Sequence, residues 1–150
     1  MHVPAHAVPL VGRGRARGGE GVDAMAHTIV GTDKAPRPAG PYSQAVRTGN
    51  LLFISGQIPL DPRTGELTGG GVEAQAKRIL ENIGAILHSQ GLDFSDIVKT
   101  TVFLRAMGDF KEFNAVYARY FPSGPPARSC VEVSRLPGDA DLEIEAVASF

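Results

Sequence analysis

The sequence offers a single cysteine, Cys130, so no intramolecular disulfide can form, and a reducing, cytoplasmic setting is the simplest inference. No Cys/His cluster has the spacing of a metal site. His2 and His6 stand four apart, but Pro4 between them breaks any helix that would bring them together. No apolar run approaches the length needed to cross a bilayer, which leaves no membrane partner to expect. Lys and Arg number 15 against 16 Asp and Glu, a formal net charge of −1, so the chain lacks the basic surface that binding to a nucleic-acid backbone requires. The run Thr68-Gly69-Gly70-Gly71 has no Lys-Ser/Thr after it, which excludes a phosphate loop. What is present is 150 residues, 43% hydrophobic and 21% charged, the composition of one globular domain with enough chain for one core.

Residues 1–26 differ from everything after them. Arg13, Arg15 and Arg17 sit among Gly12, Gly14, Gly18, Gly19 and Gly21 without apolar periodicity, so a disordered N-terminal extension is expected there. The apolar patch Ala7 to Val11 contains Pro9 and precedes the arginines, the wrong order for a secretory signal. A transit peptide would carry serines, and none is present. A start at Met25 is the alternative; either way the domain is expected over 27–150.

From His27 the pattern becomes that of ordered elements. His27 to Val30 reads as a short strand and Asp33 to Pro41, with three prolines, as an ordered loop. Ala45 to Arg47 and Leu51 to Ser55 flank Thr48-Gly49-Asn50 as a hairpin. A helix is predicted from Val72 to Gln90, where Val72, Ala76, Ile79, Leu80, Ile83 and Leu87 recur at three- and four-residue steps and Gly91 supplies the stop. Ile97 to Leu104 is dense in β-branched residues and is expected to be the central strand. Asp109 and Glu112 form a variant of the capping box ahead of a second helix, with Phe110, Phe113, Tyr117 and Tyr120 on its apolar side. A strand through Arg128 and another from Asp141 to Ser149 complete the chain. The order implies an α+β domain, a mixed sheet with two helices on one face. Its other face needs cover, which closed cyclic assembly commonly provides.

Candidate chemistry centres on Pro126 to Val133. Alternation along a strand puts Arg128, Cys130 and Glu132 on one face and Ala127, Ser129, Val131 and Val133 on the other; one face should pack and one should be available. A guanidinium on a rigid strand suits a carboxylate, because its planar fork donates two parallel hydrogen bonds. On spacing alone, a structural ion pair for Arg128 and a buried thiol for Cys130 is the commoner outcome. Tyr42 and Asn114 each admit an ordinary structural reading, and Gly56, directly after Ser55, reads as either a bulge or a close backbone approach to a ligand. Glu143 and Glu145 share a face of the last strand, which usually means solvent.

Five motifs stand in order: Gly40-Pro41-Tyr42-Ser43-Gln44, Ser55-Gly56-Gln57-Ile58-Pro59, Asn114-Ala115-Val116-Tyr117, Pro126 to Val133, and Leu142-Glu143-Ile144-Glu145-Ala146. Together, from about Ile29 to the end, the chain resembles the RidA (YjgF/YER057c/UK114) family of imine and enamine deaminases. The resemblance implies a chorismate-mutase-like fold, a homotrimer with sites between subunits, and hydrolysis of reactive 2-imino acids such as 2-iminopropanoate to 2-oxo acids and ammonia. It implies no metal or organic cofactor. By similarity Arg128 would clamp the substrate carboxylate, the Cys130 backbone carbonyl would accept from the imine nitrogen, and Glu143 would activate water. Tyr42, Ser55, Gly56 and Asn114 would line the pocket. The stretch from Asn114 to Arg128 is shorter than in bacterial members of the family. Two other readings stand beside this one: a carboxylate-binding regulatory member without turnover, and an endoribonuclease or translation inhibitor. Charge and the absence of a general-base histidine near Arg128 weigh against the latter.

Overall fold

The computed structural model describes residues 26–150, so the reading of the N-terminal stretch falls, Ala26 apart, outside the described residues. The expected order of elements is found: β1 (Thr28–Val30), β2 (Ala45–Thr48), β3 (Leu51–Gln57), α1 (Gly71–His88), β4 (Ile97–Leu104), α2 (Phe110–Tyr120), β5 (Ala127–Glu132) and β6 (Leu142–Ser149). The strands form one six-stranded sheet in the order β1-β2-β3-β6-β4-β5. Only β4 and β5 run parallel, joined through α2; every other neighbouring pair is antiparallel. None of the described helices is long and apolar enough to cross a bilayer.

Both helices lie on one face. The predicted stripe of α1 is buried in full, with Ala76, Ile79, Leu80, Ile83 and Leu87 closed from solvent, each large side chain stabilising the fold by about 1.5–3 kcal/mol. Opposite them the sheet contributes Leu52, Ile54, Val102, Leu104, Leu142, Ile144, Ala146 and Ala148. The helix ends at His88, two residues before the expected Gln90, and the chain turns away through Gly91, whose φ of 72° admits the left-handed turn that other residues adopt only with strain.

Two expectations are corrected. The strand Ile97–Leu104 is not central: it lies one place in from the edge, and β6 takes the middle of the sheet beside β3. The parallel return through α2 must lay β5 beside β4, while β6, buried at every second residue, fits antiparallel between β3 and β4. Nor does Asp109 cap α2, because it has helical backbone angles and no capping hydrogen bond. Its place is taken from outside the helix: the Glu132 carboxylate accepts the N–H of Met107 (2.6 Å), anchoring the 3₁₀ turn that leads into α2.

Among the described residues no helix lies on the second face of the sheet. Phe53 (46% exposed), Val131 (43% exposed), Val147, Phe103, Thr101, Lys99, Glu143 and Glu145 lie on it, apolar and charged residues intermixed.

Candidate active site in two halves

Arg128 faces α2 and is only partly open to solvent. Its guanidinium carbon lies 4.8 Å from the ring centre of Tyr117, 5.5 Å from that of Phe110 and 5.6 Å from that of Phe113. Nη1 donates to Asn114 Oδ1 at 2.8 Å. The reason is geometric: Phe110, Phe113, Asn114 and Tyr117 are three or four residues apart and so line one side of the helix over the edge strand. Arg128 has no carboxylate within ion-pair distance among the described residues. Its charge rests on aromatic faces and one neutral amide, which leaves most of its donors free. Cys130, two residues on, packs against the core, and its thiol is pushed up by burial, partly opposed by Arg128. The face of Arg128 and Cys130 is therefore the partly packed one, and that of Ala127, Ser129 and Val131 the exposed one. Arg128 stays half-exposed because β5 is the last strand of the sheet.

The backbone of β5 adds a second feature. The N–H of Val133 donates to the Leu104 carbonyl (2.9 Å), and backbone polar groups alternate between the two edges of a strand. The N–H and C=O of Cys130 hence point to the edge of the sheet that no described strand pairs with.

The other candidates gather elsewhere. Between Ile54 and Gln57 the β3–β6 ladder slips, and Ser55-Gly56 forms the irregularity. A Cβ on Gly56 would collide with Glu143 Oε1 and stand 2.9 Å from its carboxyl carbon. Glycine is required here so that the Glu143 carboxylate can lie on the bulge. The Glu143 side chain makes a close approach to the Gly56 backbone. Burial pushes the Glu143 carboxyl up from its ordinary value, and the neighbouring charge of Glu145 adds to the effect. Ser55 Oγ donates to the Ser43 carbonyl at 2.6 Å, and the Ser55 N–H donates to the Gln44 carbonyl at 2.9 Å. Tyr42, next in the chain to Ser43, is 53% exposed, and its hydroxyl accepts the Ala39 N–H at 3.2 Å.

Seven candidate residues thus form two groups: Arg128, Asn114 and Cys130 on the helix side of β5, and Tyr42, Ser55, Gly56 and Glu143 around the β3–β6 bulge. Glu143 alternates with the fully buried Leu142 and Ile144 and so points to the helix-free face, two strands away from β5. Within one chain Arg128 and Glu143 do not meet.

Three supporting residues had no role assigned from the sequence, Gln44 among them although it closes the first motif. Gln44 is buried and holds the loop before it: its Oε1 accepts from the Thr32 N–H (2.7 Å), and its Nε2 donates to the carbonyls of Thr32, Ala35 and Pro36. Gln75 Oε1 accepts the Asp141 N–H at the head of β6 (2.9 Å). Thr100 Oγ1 shares a 2.7 Å hydrogen bond with the Tyr117 hydroxyl. Glutamine beside a proline-rich loop, or threonine in a β-branched run, is unremarkable until its partner is known.

A mixed six-stranded sheet backed by two helices, with β5 returned in parallel through α2, is an α+β domain of the chorismate-mutase-like class. A family model described as endoribonuclease L-PSP matches residues 32–150. A RutC family protein of Pyrococcus abyssi is 52% identical over 124 residues, covering 83% of this chain and 98% of the relative. The chloroplastic Reactive Intermediate Deaminase A of Arabidopsis thaliana is 47% identical over 122 residues, 81% of this chain and 65% of the relative. Among solved structures, Escherichia coli TdcF with bound serine superposes with a TM-score of 0.78 at 46% identity, covering 81% of this chain and 98% of that one. The chain belongs to the RidA family, which also goes by the endoribonuclease L-PSP description.

Proposed function

We propose that the protein is a cofactor-independent deaminase of reactive 2-imino acids, acting as a homotrimer whose sites take Arg128 from one subunit and Glu143 from its neighbour. The observation that carries this is the guanidinium without an anion. An arginine supported by three aromatic rings and the Asn114 amide, with no carboxylate beside it among the described residues, is arranged to receive one. Two relatives point the same way, one named a reactive intermediate deaminase and one solved with serine, a small amino acid carrying a carboxylate.

The chemistry follows from the groups available. Arg128 holds the carboxylate of the 2-imino acid in a bidentate clamp and fixes C2 for attack. The outward carbonyl of Cys130 accepts a hydrogen bond from the protonated imine nitrogen; the thiol takes no part. Glu143, ionised, removes a proton from water as the water oxygen bonds to C2, and the C=N π electrons move to nitrogen. The proton then passes from Glu143 to the amine, the C2–N bond breaks, and the remaining hydroxyl gives its proton to the departing ammonia, leaving 2-oxo acid and ammonium with Glu143 ionised again. Tyr42, Ser55 and Asn114 line the cavity. A partner copy laid on the helix-free face would cover Phe53, Phe103, Val131 and Val147 and bring a second chain's edge strand towards Glu143.

Neither described histidine, His27 ahead of β1 or His88 in the last turn of α1, belongs to either half of the site, and the net charge is −1, which together disfavour an RNA-cleaving role. The test is ammonia release from 2-iminopropanoate generated in situ by an amino-acid oxidase. Acceleration by the wild type, lost in Arg128→Ala and strongly reduced in Glu143→Ala, supports the deaminase. No acceleration by folded protein over the spontaneous reaction, across a panel of imino acids, overturns it in favour of a carboxylate-binding regulator.

A further inference from the structure

Two hydroxyls in the core are not explained by packing. The helix-facing side chains of β4 are Ile97, Thr100, Val102 and Leu104, and Thr100 is the one that carries a polar atom there, at 1% exposure. A valine has the same shape. On α2, Tyr117 is 6% exposed beside the fully buried Phe113, and a phenylalanine would fill the same volume. Among the described residues each hydroxyl is satisfied only by the other, at 2.7 Å. Such a pair need add little to stability, since replacing both partners by apolar groups of like shape can be nearly neutral.

Their position gives the pair a use. Thr100 is the register partner of Arg128 across the β4–β5 ladder, and the Tyr117 ring is the closest of the three aromatic faces under the Arg128 guanidinium. A hydrogen bond from β4 thus pins the ring on which the arginine of β5 rests. The tilt of that ring and the Asn114 amide together set the direction of a side chain that would otherwise sample many rotamers on an edge strand.

We propose that the Thr100–Tyr117 hydrogen bond positions Arg128 for its carboxylate ligand, making both positioning residues for the anion half of the site. This rests on the reading of Arg128 as a carboxylate clamp. The benefit is pre-organisation: a guanidinium already held in its binding direction loses less freedom when the ligand arrives.

The experiment measures calorimetric affinity for 2-oxobutanoate, a 2-oxo acid of the product class, with KM and kcat on the matching imine, in folded Tyr117→Phe, Thr100→Val, the double variant and Thr100→Ser. Tyr117→Phe and Thr100→Val are each expected to weaken 2-oxobutanoate binding and raise KM by about fivefold, the size of one hydrogen bond, with kcat within about twofold of wild type. The double variant should be no weaker than the weaker single one, because both remove the same bond. Thr100→Ser, which keeps the hydroxyl, should restore affinity. Unchanged affinity in Tyr117→Phe and Thr100→Val, while Arg128→Ala abolishes binding, overturns this inference and leaves the clamp standing. Unchanged affinity in Arg128→Ala, or no binding by the wild type, removes the clamp and this inference with it. Equal losses in kcat and affinity that add in the double variant indicate general loosening and also overturn it.

Discussion

Glu143 is held against a backbone that only glycine permits, and this contact makes Gly56 a sensitive position. Gly56→Ala puts a methyl where Glu143 Oε1 lies, so the carboxylate must swing away while the strand can remain paired. Imine hydrolysis is expected to fall about 100-fold or more with only a small change in melting temperature, which steady-state kinetics and thermal melts on one preparation would check. The raised pKa of Glu143 gives a second prediction. The ionised carboxylate is the base, so kcat/KM should fall as pH drops through the raised value, which lies above the ordinary 4.5, and Glu145→Gln should move that limb to lower pH by removing the neighbouring charge. Stability has the opposite sign. The folded chain binds this proton more readily than the unfolded chain, so the group's contribution declines as pH rises from the ordinary value through the raised one. Glu143→Gln should therefore melt higher than wild type at pH 7 and lose that advantage in acid.

The loop from Thr32 to Pro36 and the hairpin β2–β3 are joined through one side chain. Gln44 makes four hydrogen bonds to backbone groups of that loop, and its own backbone carbonyl receives the Ser55 N–H. Gln44→Ala leaves several loop groups without partners and is expected to cost about 2–3 kcal/mol, measured by denaturant unfolding. The same substitution should weaken substrate binding, since Tyr42 follows this loop. Both helices follow from spacing; the support of the site comes from polar residues whose partners are 8 to 66 positions away. Contacts of that range leave no mark on local periodicity.

Across the molecule, the separation of Arg128 from Glu143 by strand position and by face is the fact that any catalytic account must meet. If each site joins Arg128 of one subunit to Glu143 of the next, two inactive variants repair each other. Unfolding and refolding Arg128→Ala with Glu143→Ala in equal amounts should return about a quarter of the wild-type sites in a cyclic assembly, because each site draws one residue from each of two independent subunits. Separate refolding of either variant should return none. Activity confined to wild type in both experiments would place the whole reaction within one chain. Phe53→Glu, on the helix-free face, should lower the oligomeric state seen by light scattering and abolish turnover with it.

By itself the sequence determined the order of eight elements, the buried side of each helix and the alternation of each strand, since these depend on spacing within one segment. It also marked the motif residues through their family pattern. Alternation states which residues share a face, but not which face meets the helices; only the packing of α2 decided that Arg128 and Cys130 turn towards it. Strand order was likewise decided in three dimensions, where β6 entered between β3 and β4 and displaced β4 from the centre. The contact of Glu143 with Gly56 and the pairing of Thr100 with Tyr117 join separate elements. They exist only once the long-range register is set.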